Sequence, residues 1–184
     1  MRAIQAITFD LWDTVIIDDS DEPKRAAAGL PTKAVTRREL LHEALSKVAP
    51  LERATVDLAY DVADSAFRKV WDDQSVTWSV QERLDVLLRG MGRSLPEAAL
   101  AEVVRAHEQM ELEISPDPVP GAIQAIQALK GRVPLAVISD TVFSPGSALR
   151  TLLQRWGLLD CFDAFVFSDE AGCAKPRPEV FHRV

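Results

Sequence analysis

Two stretches of β/α sequence are separated here by a long stretch that is helical throughout, and that pattern limits the fold more than anything else. The first β/α stretch is brief. Ala3 to Phe9 is mostly apolar and β-compatible and stops abruptly at Asp10, as a buried strand does. The next β-rich run, Val133 to Ile138, ends in Ser139-Asp140, and a third, Ala164 to Phe167, ends in Ser168-Asp169. Helical patterns flank the second run. Pro120-Gly121 opens one with Ile123, Ile126 and Leu129 on one face and Gly131 at its end. The other carries Leu149, Leu152, Leu153 and Trp156 and is closed by Gly157. Such βαβα alternation implies a parallel sheet with crossover helices, an α/β fold.

The intervening region, roughly Pro31 to Ile114, predicts helices alone. Thr36 with Glu39, Ser79 with Glu82 and Ser94 with Glu97 have the spacing of capping boxes. Ala59, Val62, Ala63, Ala66, Phe67, Val70 and Trp71 fall on one helical face. Leu84, Leu87 and Leu88, closed by Gly90, do the same, as do Leu100, Val103, Val104 and His107. Four such helices are expected to form a small bundle. The acidic run Asp18-Asp19-Ser20-Asp21-Glu22 before Pro23 reads as a solvated loop, with a divalent-cation site as the sharper alternative. The expected division is a core from 1–18 and 115–184, with 19–114 inserted into it.

Composition removes several function classes. The net charge of −7 with scattered basic residues argues against nucleic acid as the main partner, yet leaves room for a small anionic substrate. No apolar run approaches the ~20 residues of a membrane span. The N-terminal apolar stretch, broken by Gln5 and Thr8, is no signal peptide. A cytoplasmic protein is expected, and a homo-oligomer is left open. Cys161 and Cys173 match no metal or disulfide spacing and read as free thiols in or near a core. His42, His107 and His182 read as surface or helix-face residues, and Trp71, Trp78 and Trp156 as packing.

In open parallel sheets, sites collect at the carboxyl ends of the strands. Asp10, Ser139 and Ser168-Asp169 occupy those ends, and Lys175 follows the third. Convergence of one carboxylate, one hydroxyl and one ammonium would give a nucleophile and two groups to hold substrate oxygens.

These segments also resemble a known family. Phe9-Asp10-Leu11-Trp12-Asp13-Thr14-Val15 resembles the first motif of the haloacid dehalogenase-like (HAD) hydrolases, a strand followed by Asp-x-x-x-Thr. Val137-Ile138-Ser139-Asp140 resembles the second, and Gly172-Cys173-Ala174-Lys175-Pro176-Arg177-Pro178 the third. The resemblance implies a Rossmann-like parallel-sheet core with an inserted helical cap. It implies Asp10 as nucleophile, Thr14 as support of the loop after the first strand, and Ser139 as ligand of a phosphoryl or carboxylate oxygen. Lys175 would neutralise nucleophile and substrate. In the phosphatases of the group, Asp10 and the Trp12 carbonyl would also hold Mg2+; a dehalogenase-like enzyme would need none.

Two departures qualify what the resemblance implies. Trp12 stands where phosphatases of the group carry a second Asp, which protonates the leaving oxygen and then activates water. Indole does neither; Asp13 is adjacent but one step along a turn. Haloacid dehalogenases carry an aromatic there, because halide leaves without a proton. They need a cationic pocket instead, for which Arg37 and Arg38 are candidates against a reading as exposed first-turn charges. The second departure is at Phe181-His182-Arg183-Val184, before the acidic pair that completes the family's magnesium site, which suggests a fragment of a longer protein. The expected function is hydrolysis of a small phosphate ester or related anion through an aspartyl-enzyme. The alternatives are a 2-haloacid dehalogenase-like hydrolase and a non-catalytic HAD-like binding domain.

Overall fold

The computed structural model describes residues 4–184; Ala3, where the first strand was expected to begin, lies outside the described residues. Three strands form a parallel sheet in the order β1 (Ile7–Phe9), β2 (Leu135–Ser139), β3 (Ala164–Phe167). The register pairs Phe9 with Val137 and Ser139 with Phe167, so all three strands end on one side of the sheet. β2 is buried at every position, as the middle strand of a covered sheet must be.

Helices α6 (Ala122–Leu129) and α7 (Gly146–Arg155) supply the crossovers. Ile126, Leu149, Leu152 and Leu153 join Leu135, Val137 and Phe167 in one core cluster. Ile138, Val166, Cys173 and Val180 form a smaller cluster, to which the short helix α9 (Pro178–Phe181) contributes Val180. Both cysteines are free and buried, as expected.

Helices α2 (Lys33–Val48), α3 (Arg53–Gln74), α4 (Val80–Gly90) and α5 (Glu97–Glu113) make the expected four-helix assembly. Their apolar faces meet in a separate cluster built on Leu41, Tyr60, Leu84 and Val103. Trp71 and Trp78 stack or lean on Phe67, and Trp156 packs on the main core.

Several local expectations need correction. Ser79–Glu82 is a capping box, but α2 is capped by Thr32, whose side chain accepts from the Val35 N–H at 3.3 Å. Thr36 lies inside the helix and donates to the Thr32 carbonyl, so its spacing to Glu39 has no role. α5 starts at Glu97 behind Pro96, which leaves Ser94 outside it. A short helix α1 (Glu22–Ala27), with Pro23 in its first turn, grows out of the supposed loop.

The acidic run is not simply solvated. Asp21 is fully buried and Lys33 nearly so. The Lys33 ammonium lies 2.8 Å from Asp21, 3.0 Å from Glu111 of α5 and 3.2 Å from Asp19. The Ser144 hydroxyl, on the loop after β2, donates to the other oxygen of Glu111. The cluster therefore joins both ends of the helical region to the loop after β2. Nearby, the two chain crossings run side by side: the Ile17 N–H donates to the Asp117 carbonyl and that of Val119 to Val15, each at 2.9 Å.

Lys33→Met would leave Asp21 and Glu111 buried without a cation. A loss of about 3–5 kcal/mol is expected in the denaturant-unfolding free energy. A loss below about 1 kcal/mol would mean that the cluster is solvated in solution.

Candidate active site

Asp10 is the first residue past β1. One carboxylate oxygen accepts from the Leu11 N–H at 2.8 Å, and the other lies 2.7 Å from the Lys175 ammonium. Such a charge-assisted contact aims the carboxylate as well as neutralising it. Both side chains remain partly open to solvent, at 40% for Asp10 and 26% for Lys175. The pair is thus reachable by a small molecule.

The loop after Asp10 is held by its own backbone. The Leu11 carbonyl accepts from the N–H groups of Thr14, Val15 and Ile16. Leu11, Val15 and Ile16 are buried beneath it, which turns Thr14 outward. Trp12 is half-buried against the main core and bridges to Ile16. Asp13 adopts a left-handed φ of 52° and its carboxylate accepts from the Asp18 N–H at 3.1 Å. It therefore serves the turn.

Ser139 ends β2 and is buried to 1% exposure. Its hydroxyl reaches the Asp140 carbonyl at 3.4 Å, a long contact that leaves most of its hydrogen-bonding capacity unused. Asp140 accepts from the Lys175 N–H at 3.0 Å. Burial raises its carboxyl above the ordinary value, with the Asp10 charge adding and the Lys175 N–H and ammonium opposing.

The polar end of β3 works differently. The Ser168 hydroxyl accepts from the Thr141 N–H and from the Thr77 hydroxyl, both at 2.8 Å. Asp169 accepts from the Thr141 hydroxyl at 3.0 Å and from the Gly146 N–H at the start of α7. These residues bolt the loop after β2 to β3 and to the inserted helices. Gly146 is required there, because an added Cβ would sit 2.5 Å from the Phe167 ring.

The same loop plugs into the helical region. Phe143 packs on its apolar cluster. The Arg37 guanidinium lies 3.5 Å from the Phe143 ring centroid and that of Arg83 4.0 Å. Arg83 is paired with Asp64 at 2.5 Å and donates to the Val142 carbonyl. Arg37 is only 8% exposed, its Nε has no hydrogen-bond partner, and among the described residues it forms no ion pair. Burial pulls its guanidinium down to about 10. It is thus no exposed first-turn charge. Arg38 faces elsewhere, donating to the Asp57 carbonyl at 3.0 Å and pairing with Asp61 at 2.7 Å.

The structure therefore brings Asp10, Lys175 and the end of β2 together and leaves Arg38 outside. Sequence reasoning gave no role to Asp140, Phe143 or Arg83. Asp140 carried a usable signal, since it directly follows Ser139 at a strand end; Phe143 and Arg83 carried none.

The sequence matches the family described as haloacid dehalogenase-like hydrolase over residues 4–184, and the chain belongs to that family. A 64-residue segment is 39% identical to the pyrimidine 5'-nucleotidase YjjG of Escherichia coli strain K12. That segment covers 35% of this chain and 27% of YjjG, so the match spans about a quarter of the relative's length. The fold is similar to that of the HAD-hydrolase YfnB from Bacillus subtilis, with a TM-score of 0.53 at 20% identity over 99% of this chain and 71% of the other. It is also similar to a HAD phosphatase from Thermococcus onnurineus, with a TM-score of 0.56 at 16% identity over 97% and 69%. Among the described residues, no helix is long and apolar enough to cross a membrane.

His107, expected on a surface or helix face, is on the interior face of α5 at 1% exposure. Its Nδ1 faces the Val103 carbonyl at 2.8 Å and its Nε2 the Tyr60 hydroxyl at 2.7 Å. Burial, aided by Arg37 and Arg83, lowers it to about 4. The unfolded chain thus binds a proton that the folded chain refuses between pH ~6.5 and ~4, so stability falls as pH falls through that window, by on the order of 3 kcal/mol at most. Unfolding free energies should drop more steeply there for wild type than for His107→Gln. Parallel slopes would contradict a buried, neutral His107.

Proposed function

We propose that this chain hydrolyses a small anionic substrate, a phosphate monoester by first preference, through a covalent intermediate on Asp10. The contact between Asp10 and Lys175 at 2.7 Å carries the proposal. An ammonium against a carboxylate keeps it aimed, and the same ammonium then meets the negative oxygens of the substrate. Ser139, with its underused hydroxyl, is the second ligand of those oxygens. Thr14 acts by closing the loop behind Asp10. The 64-residue likeness to a pyrimidine 5'-nucleotidase supports phosphate over halide and puts nucleoside 5'-monophosphates among the substrates to try.

In the first step the Asp10 carboxylate attacks phosphorus, the bond from phosphorus to the ester oxygen breaks as the acyl phosphate forms, and the departing oxygen takes a proton from water to leave as the alcohol. Water then attacks, inorganic phosphate leaves, and the carboxylate is restored. Mg2+ is commonly held by one or two carboxylates together with water and substrate phosphate. Asp10 and the Trp12 carbonyl, both oxygen donors, would hold such a cation, with water and substrate completing its shell. When bound, it would offset the negative charge that builds on the phosphoryl oxygens.

The division into a 1–18 and 115–184 core and a 19–114 cap belongs to the same proposal. The cap's contribution is Arg37. A nearly buried guanidinium with an unpartnered Nε favours an anion, and burial makes that pairing stronger. Arg38, held by Asp61, is assigned no contact with substrate.

Trp12 favours a second reading, hydrolysis of a 2-haloacid, since halide leaves without a proton donor. The test is a panel of aryl phosphate, nucleoside 5'-monophosphates and 2-haloacids, each with and without Mg2+. Phosphate release is expected, with at least about 10³-fold loss in Asp10→Asn. Arg37→Ala should raise KM more than it lowers kcat. Turnover of haloacids alone would favour the second reading. An Asp10→Asn protein as active as wild type, or no turnover at all, would remove the enzyme reading in favour of a binding domain.

A further inference from the structure

Lys175 is a long, flexible side chain on a loop, and its ammonium is only as well placed as the backbone that carries it. That loop runs from Gly172 to Arg177, between α8 (Ser168–Ala171) and α9. Among the described residues, two of its backbone N–H groups donate to distant parts of the chain. The Ala174 N–H donates to the Ser75 carbonyl at 2.7 Å, and the Lys175 N–H donates to the Asp140 carboxylate at 3.0 Å.

The second bond has an unusual position. Its donor is the backbone of the residue whose ammonium touches Asp10. Its acceptor is the residue directly after Ser139. One carboxylate thus fixes the root of Lys175 to the strand end that presents the Ser139 hydroxyl. The two groups assigned to the substrate oxygens are joined through it into one unit. The loop on either side is ready for such a role: Ala174 is fully buried, and the Thr141 N–H and hydroxyl bind Ser168 and Asp169. The residue directly after Asp140 is thus anchored to the end of β3.

We propose that Asp140 is a positioning residue, which sets the Lys175 ammonium against Asp10 through its hydrogen bond to the Lys175 N–H. The inference rests on the nucleophile reading above, and its effect on turnover would be indirect. Losing the bond lets the loop drift, and a misplacement of about 1 Å at a catalytic group costs on the order of 10²-fold.

The acceptor, rather than the negative charge, is what this role requires, and that separates it from proton transfer. Asparagine keeps an oxygen where the carboxylate had one; alanine removes it. The full chain would be prepared as wild type, Asp140→Asn and Asp140→Ala, with denaturation midpoints recorded for each. Two readouts are taken. The first is the amide proton shift of Lys175 by NMR. It should lie downfield in wild type, stay so in large part in Asp140→Asn, and move upfield in Asp140→Ala. The second is turnover of an aryl phosphate and an alkyl phosphate. Asp140→Ala should lose about 10- to 100-fold in kcat on both alike, and Asp140→Asn should recover most of that loss.

Four results would overturn the proposal. They are an unchanged Lys175 amide in Asp140→Ala, wild-type turnover in that variant, Asn as damaging as Ala, or a loss confined to the alkyl phosphate. The last would make Asp140 a proton donor to the leaving oxygen. If wild type turns over nothing, the hydrolase reading fails by itself, and the amide shift still decides whether Asp140 holds Lys175.

Discussion

Parallel pairing of β1 with β2 is the constraint on which everything else rests. The two strands are separated in sequence by the whole helical region, yet Ile7, Thr8 and Phe9 align with Leu135, Ala136 and Val137. Parallel strands need a crossover, and here the crossover includes α1 to α6. Because strands of a parallel sheet end on the same side, the residue after Phe9 and the residue after Ile138 lie at the same edge of the sheet. β3 extends the arrangement and delivers the loop that carries Lys175. The placement of Asp10 is thus a consequence of register.

The second level of organisation is the loop 140–145, which belongs to the core by sequence and to both regions by packing. Phe143 inserts between two guanidiniums of the helical region. Ser144 reaches Glu111, which shares Lys33 with the buried Asp21. The same loop holds the Lys175 backbone through Asp140. A displacement of the helices relative to the sheet would be felt directly at the end of β2. The geometry therefore links the part of the molecule that would select a substrate to the part that would react with it.

Much of this was legible in the sequence because it is local. Each strand is an apolar run closed by a polar residue, and Ser79 with Glu82 caps α4 within four residues of chain. The pairing of Asp10 with Lys175 is far from local; it was legible only because their motifs travel together in a family. What could not be read was long-range and polar. Asp21 looked solvated since its partners Lys33 and Glu111 are recruited by the fold. Arg37 looked like a first-turn surface charge, but its neighbour across the interface is Phe143 of a distant loop. Thr36 had the right spacing for a cap, and Thr32, one turn earlier, took the role because Pro31 and the α1 end fix where the chain can enter the helix.

A covalent intermediate on Asp10 is the claim that binds these observations into a function. Rapid quenching of wild type during turnover of a phosphate ester, followed by borohydride reduction and peptide mass spectrometry, tests it directly. An acyl phosphate on Asp10 would be reduced to homoserine at that position, and its yield should fall to background in Asp10→Asn. Steady phosphate release with an unmodified Asp10 at every quench time, or with the modification on another carboxylate, would contradict the account.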